Sequence, residues 1–206
     1  MQLGKTARTN LSRRALEYVE YGESYKIHEG YKCRIRKPSW WYVPSVWAPD
    51  AFLLRQIHDG PRIIVNRSGA TCTDTIHRVR ATLGTDIDWL AAASVNSLTF
   101  AFAEIRGRSY GGGVLELEPT EAEGLLFPKP GTDPLPIDEL DALVRARGVD
   151  SALSEVNRRV LITAGLSMTD VARLKAIWRK LYERRLARKG RTKKMVGNAS
   201  QVVVSS

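Results

Sequence analysis

Apolar positions recur at three- and four-residue steps most clearly over 85–107. Ile87, Leu90, Ala91, Ser94, Val95, Leu98, Phe102 and Ile105 share one face there, Thr85 can cap the start and Gly107 marks the stop. The pattern predicts one long core helix, small and apolar on most sides, buried among strands. Helical periods also cover 137–147, about 151–163 and 169–189. In the last of these Val171, Leu174, Trp178, Leu181 and Tyr182 form an apolar stripe, and Arg173, Lys175, Arg179, Lys180, Arg184, Arg185 and Arg188 cover the remainder. A shorter helical pattern lies around Leu16, Val19 and Tyr21 and closes at Gly22.

Other segments alternate with a period of two. In YKCRIRK (31–37), Tyr31, Cys33 and Ile35 face one way and Lys32, Arg34 and Arg36 the other, which predicts a half-buried strand with a cationic outer face. PRIIVN (61–66) and TCTDTIHRVRAT (71–82) read as strands from their β-branched residues, and VLELE (114–118) as another. AFLLRQI (51–57) is compatible with a short helix. PSWWYVPSVWAPD (38–50) holds too much proline for a helix interior or a central strand, so its aromatics are expected on extended backbone. Pro119 and Thr120 open a short helical turn, and LLFPKPGTDPLP (125–136) is a proline-punctuated exit and the best domain boundary. The expected class is α/β (α+β), with a mixed sheet, a long core helix and a basic helical extension; the uncharged end, 195–206, is expected to fray.

Charge adds a second layer. The chain of 206 residues carries a net charge of +10, unevenly spread. Residues 31–80 hold nine Lys/Arg against three Asp/Glu, 81–150 five against twelve, and 171–194 eleven against one. Separated basic blocks fit a polyanion binder better than a uniformly soluble surface. No apolar stretch is long enough to span a bilayer and residues 1–10 lack an apolar signal region, so a cytoplasmic chain with no membrane partner is expected. Cys33 and Cys72 stand alone, without the spacing of a zinc site or a disulfide framework.

Catalytic chemistry is hard to find. His28, His58 and His77 sit in no motif that supplies a partner, and no Gly-x-Ser-x-Gly, His-Glu-x-x-His or acidic metal loop occurs. Pro49-Asp50 could start a nuclease motif, but no Asp/Glu-x-Lys element follows in the basic segment. The glycine run in GRSYGGGVLELEP (107–119) could cradle a phosphate; however, a dinucleotide loop needs a strand before and a helix after, and a P-loop needs Gly-Lys-Ser/Thr. Here a helical pattern precedes and a strand pattern follows. Binding features are stronger. Lys32, Arg34 and Arg36, Arg78 and Arg80, and Arg106 and Arg108 could converge on phosphates and base edges. Trp40, Trp41 and Tyr42 either pack their loop or stack on a base. The basic helix at 171–189 could lie on DNA, on RNA or against an acidic partner.

Taken together, YKCRIRKPSWWYVPSVWAPDAFLLRQI, PRIIVNRSGATCTDTIHRVR and LAAASVNSLTFAFAEIRGRSYGGGVLELEPTEAEGLLFPKP resemble, in order and over about 18–130, the carboxyl-terminal target recognition domain of TaqI-type N6-adenine DNA methyltransferases of restriction-modification systems. The resemblance implies a module that reads the recognition sequence on double-stranded DNA. A separate catalytic domain or subunit would bind S-adenosylmethionine and methylate a flipped adenine. That catalytic domain carries a glycine-rich cofactor loop and an Asn-Pro-Pro-Tyr/Phe motif, and this chain has no Pro-Pro pair. No cofactor is therefore expected on this chain, nor methyl transfer by it alone; it would be a split subunit, an isolated domain or a truncated product. The expected layout is a flexible basic lead at 1–17, the recognition domain at 18–131, a helical extension at 132–190 and a disordered tail at 191–206. The residues expected to contact DNA are Lys32, Arg34, Arg36, Trp40, Trp41, Thr73, Thr75, Arg78, Arg108, Ser109 and Tyr110, with Gly111 and Gly112 permitting close approach. A regulatory or scaffold protein that binds DNA or RNA without catalysis remains the alternative.

Overall fold

The computed structural model describes residues 5, 7–36, 38–43, 46–82, 84–129 and 131–199, the side chains of 189–199 excepted. The chain forms two compact units, Met1–Trp47 and Ala48–Ser206.

In the first unit, α1 (Arg13–Ser24) starts where the Ser12 hydroxyl accepts from the Ala15 amide at 3.4 Å. Its buried face is Ala15, Val19 and Gly22. Gly22 does not end the helix as its sequence position suggests. It stays inside because the Trp40 indole lies so close that a Cβ there would stand 2.5 Å from the ring. The expected cationic strand at 31–37 is corrected: Tyr31–Arg34 forms a single helical turn, α2. Seven alternating residues carry little information on period, and among the described residues of this unit no strand is present to complete a ladder.

The second unit opens on strands. The segment expected as a short helix forms β1 (Ala51–Leu54) and β2 (Gln56–Ile57), with Ala51, Leu53 and Ile57 buried. A run of four apolar residues suits either element, and pairing on both edges decides it. β3 (Ile63–Val65) and β4 (Ile76–Val79) flank β1 in antiparallel register, Phe52 facing both Ile64 and Arg78. The long core helix expected over 85–107 is also corrected; it is two helices, α3 (Ile87–Ala93) and α4 (Ser97–Arg106). Polar groups break it. Asn96 caps α4 by accepting from the Thr99 amide at 2.9 Å and returns a bond to the Ala93 carbonyl at 2.6 Å.

After α4 come β5 (Arg108–Ser109), a 3₁₀ turn at Gly111–Gly113, and β6 (Leu115–Glu116), giving a second antiparallel sheet in the order β2-β6-β5. The VLELE pattern is realised here. Leu115 and Leu117 are buried, while Glu116 and Glu118 on the other side both hold Arg55, which lies between β1 and β2. Short α5 (Pro119–Glu123) has proline at its first turn. Then follow α6 (Ile137–Arg147), α7 (Val149–Val156) with a π-helical turn at Asn157–Ile162, and α8 (Met168–Ala199), about 48 Å long at 1.5 Å per residue.

The largest core joins these helices. Ala92, Ala93, Phe100 and Ala101 pack with Leu140, Leu153, Val156, Val160, Val171 and Trp178. Asn157 buries its amide in this core, accepting from the Ser97 amide and donating to the Ser97 hydroxyl, both at 2.8 Å. Two smaller clusters lie under the sheets, around Leu53, Leu115 and Leu125 and around Ala51, Ile63 and Ala91.

Candidate nucleic-acid interface

The glycine run is the turn of a β-hairpin. Tyr110 donates its amide to the Val114 carbonyl at 3.1 Å, and Gly112 and Gly113 have φ of 82° and 78°, values that side-chain-bearing residues rarely adopt. This is not the strand-to-helix geometry of a glycine-rich cofactor loop, and the Gly113 carbonyl is already taken by Arg185 of α8. What the hairpin presents to solvent is Arg108, Ser109 and Tyr110, all exposed.

Each of the first two is held by a neighbour. Arg108 makes a double hydrogen bond to the Glu121 carboxylate of α5, at 3.1 and 2.9 Å. The hydrogen bond from Arg108 holds the Glu121 carboxyl below its usual range. The Ser109 hydroxyl accepts from Arg188 of α8 at 3.1 Å. A strong interaction with a phosphate or a guanine edge would compete with Glu121 for Arg108.

On the other sheet, Thr73 and Thr75 are exposed in the loop that leads into the edge strand β4, with their hydroxyls 3.1 Å apart. Arg78 lies on β4 itself and is half-buried. His77, next to it, joins the two sheets through a 2.6 Å contact from Nε2 to the Leu117 carbonyl. In the first unit Lys32 and Arg34 are exposed on α2, and Arg36 is half-buried just after it. Trp40 is a packing residue there: it covers Gly22, donates from Nε1 to Glu23 at 3.2 Å and meets Trp41 edge to face at 6.3 Å. Trp41 is half-buried beside it.

The basic helix divides by face. Val171, Trp178 and Arg185 are buried, and Leu174, Tyr182 and Leu186 half-buried, at the helical spacing of the expected stripe. Asp150 of α7 holds Arg179 and, at 3.5 Å, Lys175. Arg173, Lys180, Arg184 and Arg188 remain on the exposed face. Part of the acidic middle of the chain is spent on particular arginines, through Glu104, Glu116, Glu118, Glu121 and Asp150, while Asp86, Glu123, Asp133, Asp138 and Glu139 stay exposed.

One buried ion pair escaped the sequence reading. Arg185, with 2% of its side chain exposed, pairs at 2.6 Å with Glu104 of α4, itself 4% exposed. A signal was available: position 185 continues the stripe of Val171, Trp178 and Tyr182, so a cation there must be buried and partnered. A separate concavity of about 670 Å³ lies among β3, α3 and α6, lined by Ile63, Val65, Ala91 and Val144; the cations at its rim, Arg62, Arg67 and Arg145, pair with Asp59, Asp88 and Asp141. Among the described residues no group of three or more His, Cys, Asp or Glu could hold a metal, and no helix is long and apolar enough to cross a membrane.

Small antiparallel sheets flanked by helices place a cationic helix beside an exposed hairpin. The model of the family described as Type II methyltransferase M.Eco57I, C-terminal domain, matches residues 2–161. The chain belongs to that family and is a module of a DNA methyltransferase of the restriction-modification type, as the sequence resemblance implied. No curated protein and no solved structure matches it.

Proposed function

We propose that this chain is the DNA-recognition module of a site-specific adenine-N6 methyltransferase, acting in the cytoplasm on double-stranded DNA. The β5–β6 hairpin meets the duplex with Arg108, Ser109 and Tyr110, while the exposed face of α8 follows the phosphates. Thr73, Thr75 and Arg78, at the β4 edge, add contacts from the same unit; Lys32, Arg34 and Arg36 give the first unit DNA contacts of its own. The recognition part spans about 18–131, and the helices of 132–190 support it.

A catalytic domain or subunit supplies S-adenosylmethionine and the methyl transfer. Supporting this division, the glycine turn has the wrong form for a cofactor loop, and the chain contains no Pro-Pro pair from which an Asn-Pro-Pro-Tyr motif could be built. The observation that carries the reading is the exposed hairpin braced against a cationic helix within a methyltransferase carboxyl-terminal domain.

Selection from a pool of randomised duplexes tests it. The reading expects one short sequence to be enriched, and mixing the chain with its catalytic partner and labelled S-adenosylmethionine to place label on an adenine in that sequence. No enriched duplex sequence, together with tighter binding of single-stranded RNA than of any duplex in a parallel binding assay, would point instead to an RNA-binding regulatory protein.

A further inference from the structure

Arg185 ties four parts of the second unit to one guanidinium. Nε reaches both Glu104 oxygens at 3.3 and 3.1 Å. Nη2 donates to Glu104 Oε1 and to the His58 carbonyl, both at 2.6 Å, and Nη1 donates to the Gly113 carbonyl. The helices α4 and α8, the end of β2 and the glycine turn thus meet at one rigid, planar donor set. Its neighbours on α8 add to the grip. A Cβ on Gly113 would lie 3.0 Å from Leu186 Cδ2, and Arg188 donates to Ser109 on β5.

Stability alone is a poor reason for such a group. A buried ion pair recovers little beyond its desolvation cost, and an apolar side chain of similar volume would fill this position of the stripe at least as well. What the guanidinium adds is direction: it fixes the orientation of the Gly113 carbonyl in the turn of the hairpin. Arg185 also lies beyond residues 2–161, where the family match ends.

We infer that Arg185 is a positioning residue for target recognition, holding the β5–β6 hairpin in one conformation so that Arg108, Ser109 and Tyr110 meet the duplex already ordered. This rests on the DNA-recognition reading. Pre-ordering lowers the entropy lost on forming the specific contacts, and contact with phosphates elsewhere on the surface needs no such order. Arg185 therefore sets discrimination between sequences more than affinity for DNA in general.

The test uses the full chain with Arg185→Met, with the double variant Glu104→Met/Arg185→Met, which leaves no orphan carboxylate in the interior, and with Glu104→Gln, which keeps the bonds of Arg185 to Gly113 and His58. Two quantities are read: amide hydrogen exchange over residues 109–114 relative to β1, and the ratio of affinities for the selected duplex and an unrelated one. In the double variant, exchange at the hairpin is expected to rise and the affinity ratio to fall by about tenfold each, the worth of roughly one hydrogen bond, with unrelated duplex bound within about twofold of wild type. Glu104→Gln should keep the wild-type ratio. A folded double variant with wild-type hairpin exchange, or one whose hairpin loosens while the ratio holds, overturns the inference. If the wild-type chain prefers no duplex, the recognition reading itself fails and the role in discrimination falls with it, whatever the exchange shows.

Discussion

Gly113 and its neighbour Gly112 offer a matched pair. Both have positive φ, but a side chain on Gly112 would meet open space, whereas one on Gly113 would press on Leu186 of α8. Gly112→Ala should cost about 1 kcal/mol, from backbone conformation alone. Gly113→Ala should cost up to about 1 kcal/mol more, because the Leu186 side chain must shift slightly to admit the methyl. Urea midpoints of the two variants measure the difference, and equal values would mean that the Leu186 side chain makes way for the methyl without cost. Arg108 gives a second residue-scale prediction. Since Glu121 competes with DNA for it, Glu121→Gln should strengthen duplex binding by roughly 1 kcal/mol, within the range of charge-assisted contacts. A drop in affinity would show that Arg108 needs Glu121 to aim it. At this scale the sequence was readable in part. The glycine run marked a loop between a helical and a strand pattern, yet Glu121 stands 13 positions from Arg108 and Arg188 stands 79 from Ser109, so nothing local revealed what holds the hairpin.

Elements were legible where periodicity was long and their stability local. The helices over 137–147 and 169–189 and the Leu115/Leu117 alternation emerge as expected, because each buries one clear face. The break between α3 and α4 was only half legible: its cap, Asn96, is local, but the partner that satisfies Ser97 at the start of α4 is Asn157, 60 positions away. Asn157→Ala should cost about 2–3 kcal/mol, since it strands a buried amide and hydroxyl in an otherwise apolar core. A loss below half of that in denaturant unfolding would mean that α3 and α4 hold their junction without it. Near the same turn, Glu155 accepts from Arg158 and Arg159, and those hydrogen bonds, Arg158 first, lower its carboxyl to about 2. A lowered folded value means that this pair stabilises fully above the ordinary carboxylate range and loses its effect as pH falls from about 4.5 to about 2. Glu155→Gln should therefore destabilise at pH 7, by no more than about 1 kcal/mol for so exposed a pair, and by less at pH 3. Equal differences at the two pH values would contradict the pairing.

At the scale of the molecule, the family match and the physical core do not end together. Residues 2–161 carry the family pattern, but the core of the second unit is completed by Val171 and Trp178 of α8, with Trp178 stacked edge to face on Phe100 at 5.5 Å. Removing 162–206 would expose Phe100, Val156 and Val160 and strand Glu104. The loss of Trp178 alone is worth about 3–5 kcal/mol, a large part of a typical domain's stability. A chain ending at 161 should show no cooperative thermal transition; a sharp one would make α8 an independent appendage. Net charge and its blocks pointed from the sequence to a polyanion. Only the fold distinguishes the arginines committed to Glu104, Glu116, Glu118, Glu121 and Asp150 from the cations left on the surface of α8.

The central claim, that this module finds a particular duplex sequence, is tested most directly by measuring the affinity of the full chain for its selected duplex and for a scrambled one across a salt series. The account predicts a preference of about a hundredfold or more for the selected sequence and, with at least three phosphates engaged, affinity for both falling with a log–log salt slope of about −3 or steeper. Equal affinity for the two duplexes at every salt concentration would contradict it.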